Sequence, residues 1–84
     1  MGDREIPLGP GDRHVRAFEL AGWHVARIQG SHKILRKDGV EYNLAIPCHQ
    51  GRDVPRALIR KQVKNAGLSI AEYCALYQGN KIKD

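Results

Sequence analysis

Two tight turn signals, Gly30-Ser31 and Asp38-Gly39, constrain the middle of this 84-residue chain more than any other feature. Asp-Gly suits a two-residue hairpin, because its backbone must enter the positive-φ region that matches strand twist. The runs that flank the turns are short and carry Val, Ile and Leu. They are 23–29, 32–37 and 41–47, and their spacing predicts a three-stranded antiparallel meander. Side chains alternate along a strand. Trp23, Val25 and Arg27 therefore share one face of the first strand, and His24, Ala26 and Ile28 share the other. Ile34 and Leu35 are apolar neighbours on opposite faces of the second strand. Tyr42, Leu44 and Ile46 share one face of the third.

Helices frame the meander. Asp12 is placed to cap a helix over 13–21, since its carboxylate can accept an orphan amide. Val15, Phe18 and Gly22 form its stripe, with Ala17 and Ala21 beside it, and Leu20, off the narrowest stripe, is either a flank of the core or a partner contact. Gly22 supplies the stop. A loop over 48–54 leads to Pro55, which suits a first helical turn because its missing amide costs nothing there. That helix runs to about Asn65, with Ile59, Val63 and Ala66 inward, Leu58 adding width, and Gly67 closing it. Ser69 and Glu72 form the S-x-x-E capping box of a last helix over 70–77. The order is α-β-β-β-α plus a short helix, an α+β fold of two layers. Residues 1–11 read as an irregular arm punctuated by Pro7, Gly9, Pro10 and Gly11. Residues 12–78 form one domain, and 79–84 a flexible tail. Only Phe18, Trp23, Tyr42, Tyr73 and Tyr77 are aromatic, so the core leans on Val, Ile, Leu and Ala.

The formal charge of +5 is unevenly spread. Residues 27–64 hold nine basic and three acidic side chains. A cationic middle attracts a nucleic acid, an anionic membrane or an acidic protein, or it serves only as a solvated surface. No segment has the continuous apolar length of a membrane span, and the polar start MGDREIPLGPG has no apolar signal core. The expected compartment is the cytoplasm. Cys48 and Cys74 are too few for a disulfide scaffold and form no C-x-x-C. Cys48-His49 is half a metal site at most, because strand neighbours point to opposite sides.

Four histidines supply the candidate chemistry. His14 on the first helix and His24 on the first strand read as surface or rim residues. His32 follows Gly30-Ser31 directly and is surrounded in sequence by Lys33, Arg36 and Lys37. Histidine exchanges protons near neutrality, and RNA carries its own nucleophile, the 2′-OH. A histidine with nearby cations could therefore cleave a phosphodiester. From the residues alone, a structural or merely RNA-contacting His32 stays open. His49 can be a second proton-transfer group, a substrate contact or a plain loop residue. No paired carboxylates gather the oxygen ligands of a Mg²⁺ nuclease. Asp38 belongs to its turn, and Asp53 precedes a helix. No Walker loop, G-x-S-x-G or dinucleotide fingerprint is present, so neither metal nor cofactor is expected.

Three blocks carry a family resemblance. The first is G-W-x-V-x-R-x-x-G-S-H-x-I-L-R, from Gly22 to Arg36, with G-S-H as its most specific part. The second is A-I-P-C-H, from Ala45 to His49. The third is N-A-G-L-S-x-x-E-Y, from Asn65 to Tyr73. In this order the blocks resemble the HicA family of mRNA interferase toxins, the YcfA-like proteins, over residues 12–77. The resemblance implies a fold like the double-stranded RNA-binding domain and mRNA cleavage through the G-S-H histidine, here His32. It implies a HicB-like antitoxin that blocks the site, with operator DNA reached only through that complex. By analogy, single-stranded mRNA lies against Gly30, Ser31, Lys33, Arg36, His49 and the helix cations Arg56, Arg60, Lys61 and Lys64.

The chain departs from the family pattern in places. The stretch from Pro55 to Arg60 lacks the threonine of the Gly-Thr-Leu-Arg that opens this helix in many members. Lys33 stands where another histidine or a small residue is common. Two other classes compete with the toxin. One is a non-catalytic RNA-binding module, which binds by shape and phosphate contacts. The other is a protein-interacting subunit whose positive face meets an acidic partner.

Overall fold

The computed structural model describes residues 5–80. Its elements are α1 (Gly11–Leu20), β1 (His24–Gln29), β2 (His32–Arg36), β3 (Leu44–Pro47), α2 (Arg56–Asn65) and α3 (Ile70–Tyr77). The three strands form one antiparallel sheet in the order β1-β2-β3, the meander that the two turns predict. The whole is a small α+β domain of the double-stranded-RNA-binding-domain type, with the helices on one face of the sheet.

The core lies between that face and the helices. Val15 and Phe18 of α1 meet Leu35, Leu44 and Ile46 of the sheet, Ile59 and Val63 of α2, and Tyr73 and Leu76 of α3. Each such side chain contributes about 2 kcal/mol by leaving water. The Ser69–Glu72 capping box forms in full, each side chain bonding the other residue's backbone amide.

Several expectations give way to tertiary contacts. Asp12 does not cap α1. The helix starts earlier, after Pro10, with no side-chain cap, and the Asp12 carboxylate pairs with Lys33 instead. Gly11 opens the helix because a side chain would not fit there. A Cβ would lie 2.1 Å from the Pro47 carbonyl oxygen, so α1 starts hard against the end of β3. The third strand begins at Leu44 rather than residue 41. Tyr42 leaves the sheet, and its hydroxyl donates to the carbonyl of Asn65 at the end of α2.

His14 is not a rim residue. It is fully buried, stacked with Tyr73, and its Nδ1 is hydrogen-bonded to the Tyr73 hydroxyl at 2.5 Å. Residues 5–10 are irregular, yet Ile6 is only 1% exposed and joins the core. Residues 1–4 of the expected arm and 81–84 of the expected tail lie outside the described residues.

Arg27 changes face. The register runs Val25↔Leu35 and then Arg27↔Ile34, with a bulge between them. The extra residue, Ala26, inverts the alternation. Arg27 therefore leaves the Val25 side, where plain alternation puts it, and joins His24 on the other. Ile28, paired with Lys33, is an exposed apolar residue on the edge strand.

Candidate functional site: the histidine edge of the open sheet face

Gly30 takes φ +59° and starts the turn that delivers His32 to the beginning of β2. A side chain there would be strained by the backbone conformation although space is open. Ser31 fixes the turn to the end of β3, because its carbonyl accepts from the Cys48 amide at 2.6 Å. The same residue meets His49 by its side chain, Oγ to Nε2 at 3.3 Å. The direction of that bond follows the imidazole tautomer.

His32 is exposed and lies between Gln29 on β1 and Pro47 on β3. Its ring stands edge-on to that of His49, with 6.4 Å between centroids. Two imidazoles from two different chain segments thus share one edge of the molecule. Among the described residues, no group of three or more His, Cys, Asp or Glu is arranged to hold a metal ion.

Cross-strand partners share a face, which sorts the remaining candidates. Arg36 lies on the His32 side, opposite His24. Lys33 lies on the helix side opposite Ile46, and its Nζ is 2.8 Å from Asp12 Oδ1. That hydrogen bond holds the Asp12 carboxyl below its ordinary range and raises the Lys33 ammonium above its own. Burial, reinforced by the Asp12 charge, pushes the neighbouring Cys48 thiol up. Lys33 is therefore adjacent to His32 in sequence but is not brought beside its ring.

The α2 cations stand in the other layer. Arg56 Nε donates to the Ile6 carbonyl at 2.9 Å and clasps the N-terminal segment. Arg60, Lys61 and Lys64 rim a groove between α2 and α3 whose apolar lining includes Val63, Leu68 and Ile70. Gly30, Ser31, His32 and His49 are thus brought together; Arg36 shares the His32 face but stands at the far end of β2, and Lys33, Arg56, Arg60, Lys61 and Lys64 lie elsewhere. Two residues to which the sequence assigns other places also matter. Asp12 occupies Lys33, and Arg27 joins the open face. The helical spacing of Asp12 carried no mark of the first, and a bulge has no local sequence mark at all.

A small α+β domain with an exposed histidine opening its middle strand defines the class of protein. The family model described as HicA toxin of bacterial toxin-antitoxin matches residues 11–68. The chain belongs to the HicA toxin family. No curated protein matches it. Among the described residues, no helix is long and apolar enough to cross a membrane.

Proposed function

We propose that this HicA-family toxin is a metal-independent endoribonuclease of a type II toxin–antitoxin pair. It cuts single-stranded mRNA and so stops translation, and a HicB-like antitoxin neutralises it in the cytoplasm. Operator DNA is engaged only through the antitoxin complex. The observation that carries the reading is the pairing of exposed His32 with His49 across the Ser31 turn, in a chain of this family.

The chemistry needs two proton transfers and charge stabilisation. One imidazole takes the proton of a ribose 2′-OH. The freed oxygen attacks the adjacent phosphorus, and the bond to the 5′ oxygen breaks. The second imidazole gives that leaving oxygen its proton. The products are a 2′,3′-cyclic phosphate and a 5′-hydroxyl. His32 is the catalytic residue of this reading and His49 its complement, held by Ser31. Gly30 and Ser31 bring the turn backbone to the substrate. Charge at the reacting phosphate is offset by the protonated imidazole, because Arg36 stands at the far end of β2 and the Lys33 ammonium is engaged by Asp12.

The test is cleavage of a long single-stranded mRNA in EDTA by wild type and by folded His32→Ala. Cutting by the wild type alone supports the assignment, and retained cutting by the variant removes it. RNA bound and left intact by both proteins identifies the non-catalytic RNA-binding module instead.

A further inference from the structure

The bulge at Ala26 gives the open sheet face a cation that plain alternation would have turned toward the helices. Val25 pairs with Leu35, a fully buried core residue, whereas Arg27 pairs with Ile34. Ile34 is only 8% exposed, yet it stands outside the main core cluster. No helix covers it. Its cross-strand neighbours are Arg27 and Ala45. As the cross-strand partner, the methylene stem of Arg27 is placed to cover Ile34 on the β1 side, with this exposed residue's guanidinium toward solvent.

The face then has an ordered layout. Along β2 run His32, Ile34 and Arg36, and opposite them on β1 run Gln29, Arg27 and His24. The β3 side offers only the small, uncharged Ala45 and Pro47. None of the three strands contains an Asp or Glu. From His32 to Arg36 the strand covers about 13 Å, room for a short run of single-stranded RNA.

We propose that this open face is a track for single-stranded RNA, with Arg27 and Arg36 as its phosphate ligands and His32 at its end. The proposal rests on the ribonuclease reading and adds to it the path of the substrate. Phosphates follow the β1–β2 side, where the guanidinium groups stand. Bases lie over Ala45 and Pro47, where low side chains leave the sheet surface accessible. Charge complementarity selects the polyanion: the face has two arginines and two histidines and no carboxylate to repel it. The α2 cations, in the other layer, are not the main phosphate ligands.

The experiment measures binding of an unstructured oligoribonucleotide across a salt series, in the His32→Ala background so that the RNA stays intact. Adding Arg27→Gln or Arg36→Gln is expected to weaken binding about tenfold. Each change should also lower the slope of log affinity against log salt by about 0.7. Arg16→Gln, the same charge change on the exposed side of α1, leaves the slope as it was. Melting temperatures check that all variants fold. An unchanged slope in Arg27→Gln overturns the track. So does a larger loss in Lys61→Gln/Lys64→Gln, which would put the RNA on the helix layer. So does absence of RNA binding combined with capture of an acidic protein. The two readings fail separately. Wild-type cutting unaffected by Arg27→Gln removes the track and keeps the ribonuclease. RNA held through Arg27 but never cut by the otherwise wild-type protein removes the ribonuclease and keeps the track.

Discussion

The two faces of the sheet treat the same side chain in opposite ways. On the helix face, His14 is sealed between α1 and α3 against Tyr73 and Tyr77. Burial, aided by the Arg13 charge, lowers its pKa to about 4. Burial likewise pushes the Tyr73 hydroxyl well above its ordinary value. His14 is thus held neutral, and among the described residues its Nε2 has no hydrogen-bond partner. At the edge of the open face, His32 meets solvent and a second imidazole. One histidine is a packing residue with a suppressed charge. The other keeps the solvent access that proton exchange requires. Environment, more than residue type, sets which of the two histidines is open to solvent.

The comparison breaks first at His32. Replacing it with alanine is expected to reduce RNA cutting by about 10²- to 10⁴-fold with little change in Tm. His49→Ala should lower cutting in the same direction by a smaller factor, read in the same assay. A fall in Tm as large as the fall in activity would mean that the open face is also structural.

His14 sharpens the comparison from the other side. Its folded pKa lies below the 6.5 of an ordinary histidine, so the unfolded chain takes up the proton first. Its contribution to stability is complete above pH 6.5 and is lost as the pH falls toward 4. The loss over that window is about 3 kcal/mol. Urea unfolding at neutrality and at the acid end should show it, and His14→Phe should flatten that part of the profile. NMR titration of the His14 ring in the wild type gives the same answer without a variant. A ring that titrates near 6.5 would remove the sealed-core account.

Gly11 couples the two faces. Gly11→Ala would drive a Cβ into the Pro47 carbonyl. The expected cost is roughly 1–3 kcal/mol, visible as a lower Tm. The end of β3, and His49 just beyond it, must shift. Cutting should therefore fall at saturating RNA more than binding does. The smallest effect belongs to the rim. Asp12→Asn removes an exposed pair and should cost under about 1 kcal/mol, a difference that vanishes in high salt.

Much of the frame was legible because its causes are local. Gly30 and Asp38-Gly39 punctuate the meander through backbone conformations that few other residues adopt. Ser69 and Glu72 start a helix through bonds spanning three residues. The G-S-H block placed His32 at the start of a strand, where it stands. The apolar stripes of α1 and α2 pointed to Val15, Phe18, Ile59 and Val63, and all four are buried.

What tertiary structure alone decided are the pairings between distant segments. His14 is buried because Tyr73, fifty-nine residues away, supplies a hydroxyl at 2.5 Å. Lys33 turns from His32 because strand parity aims it at α1, where Asp12 waits. Arg27 reaches the open face because one unpaired residue inverts that parity. Periodicity describes a strand or helix by itself. It carries no information about which partner fills the space opposite, and at these positions the partner sets both burial and charge.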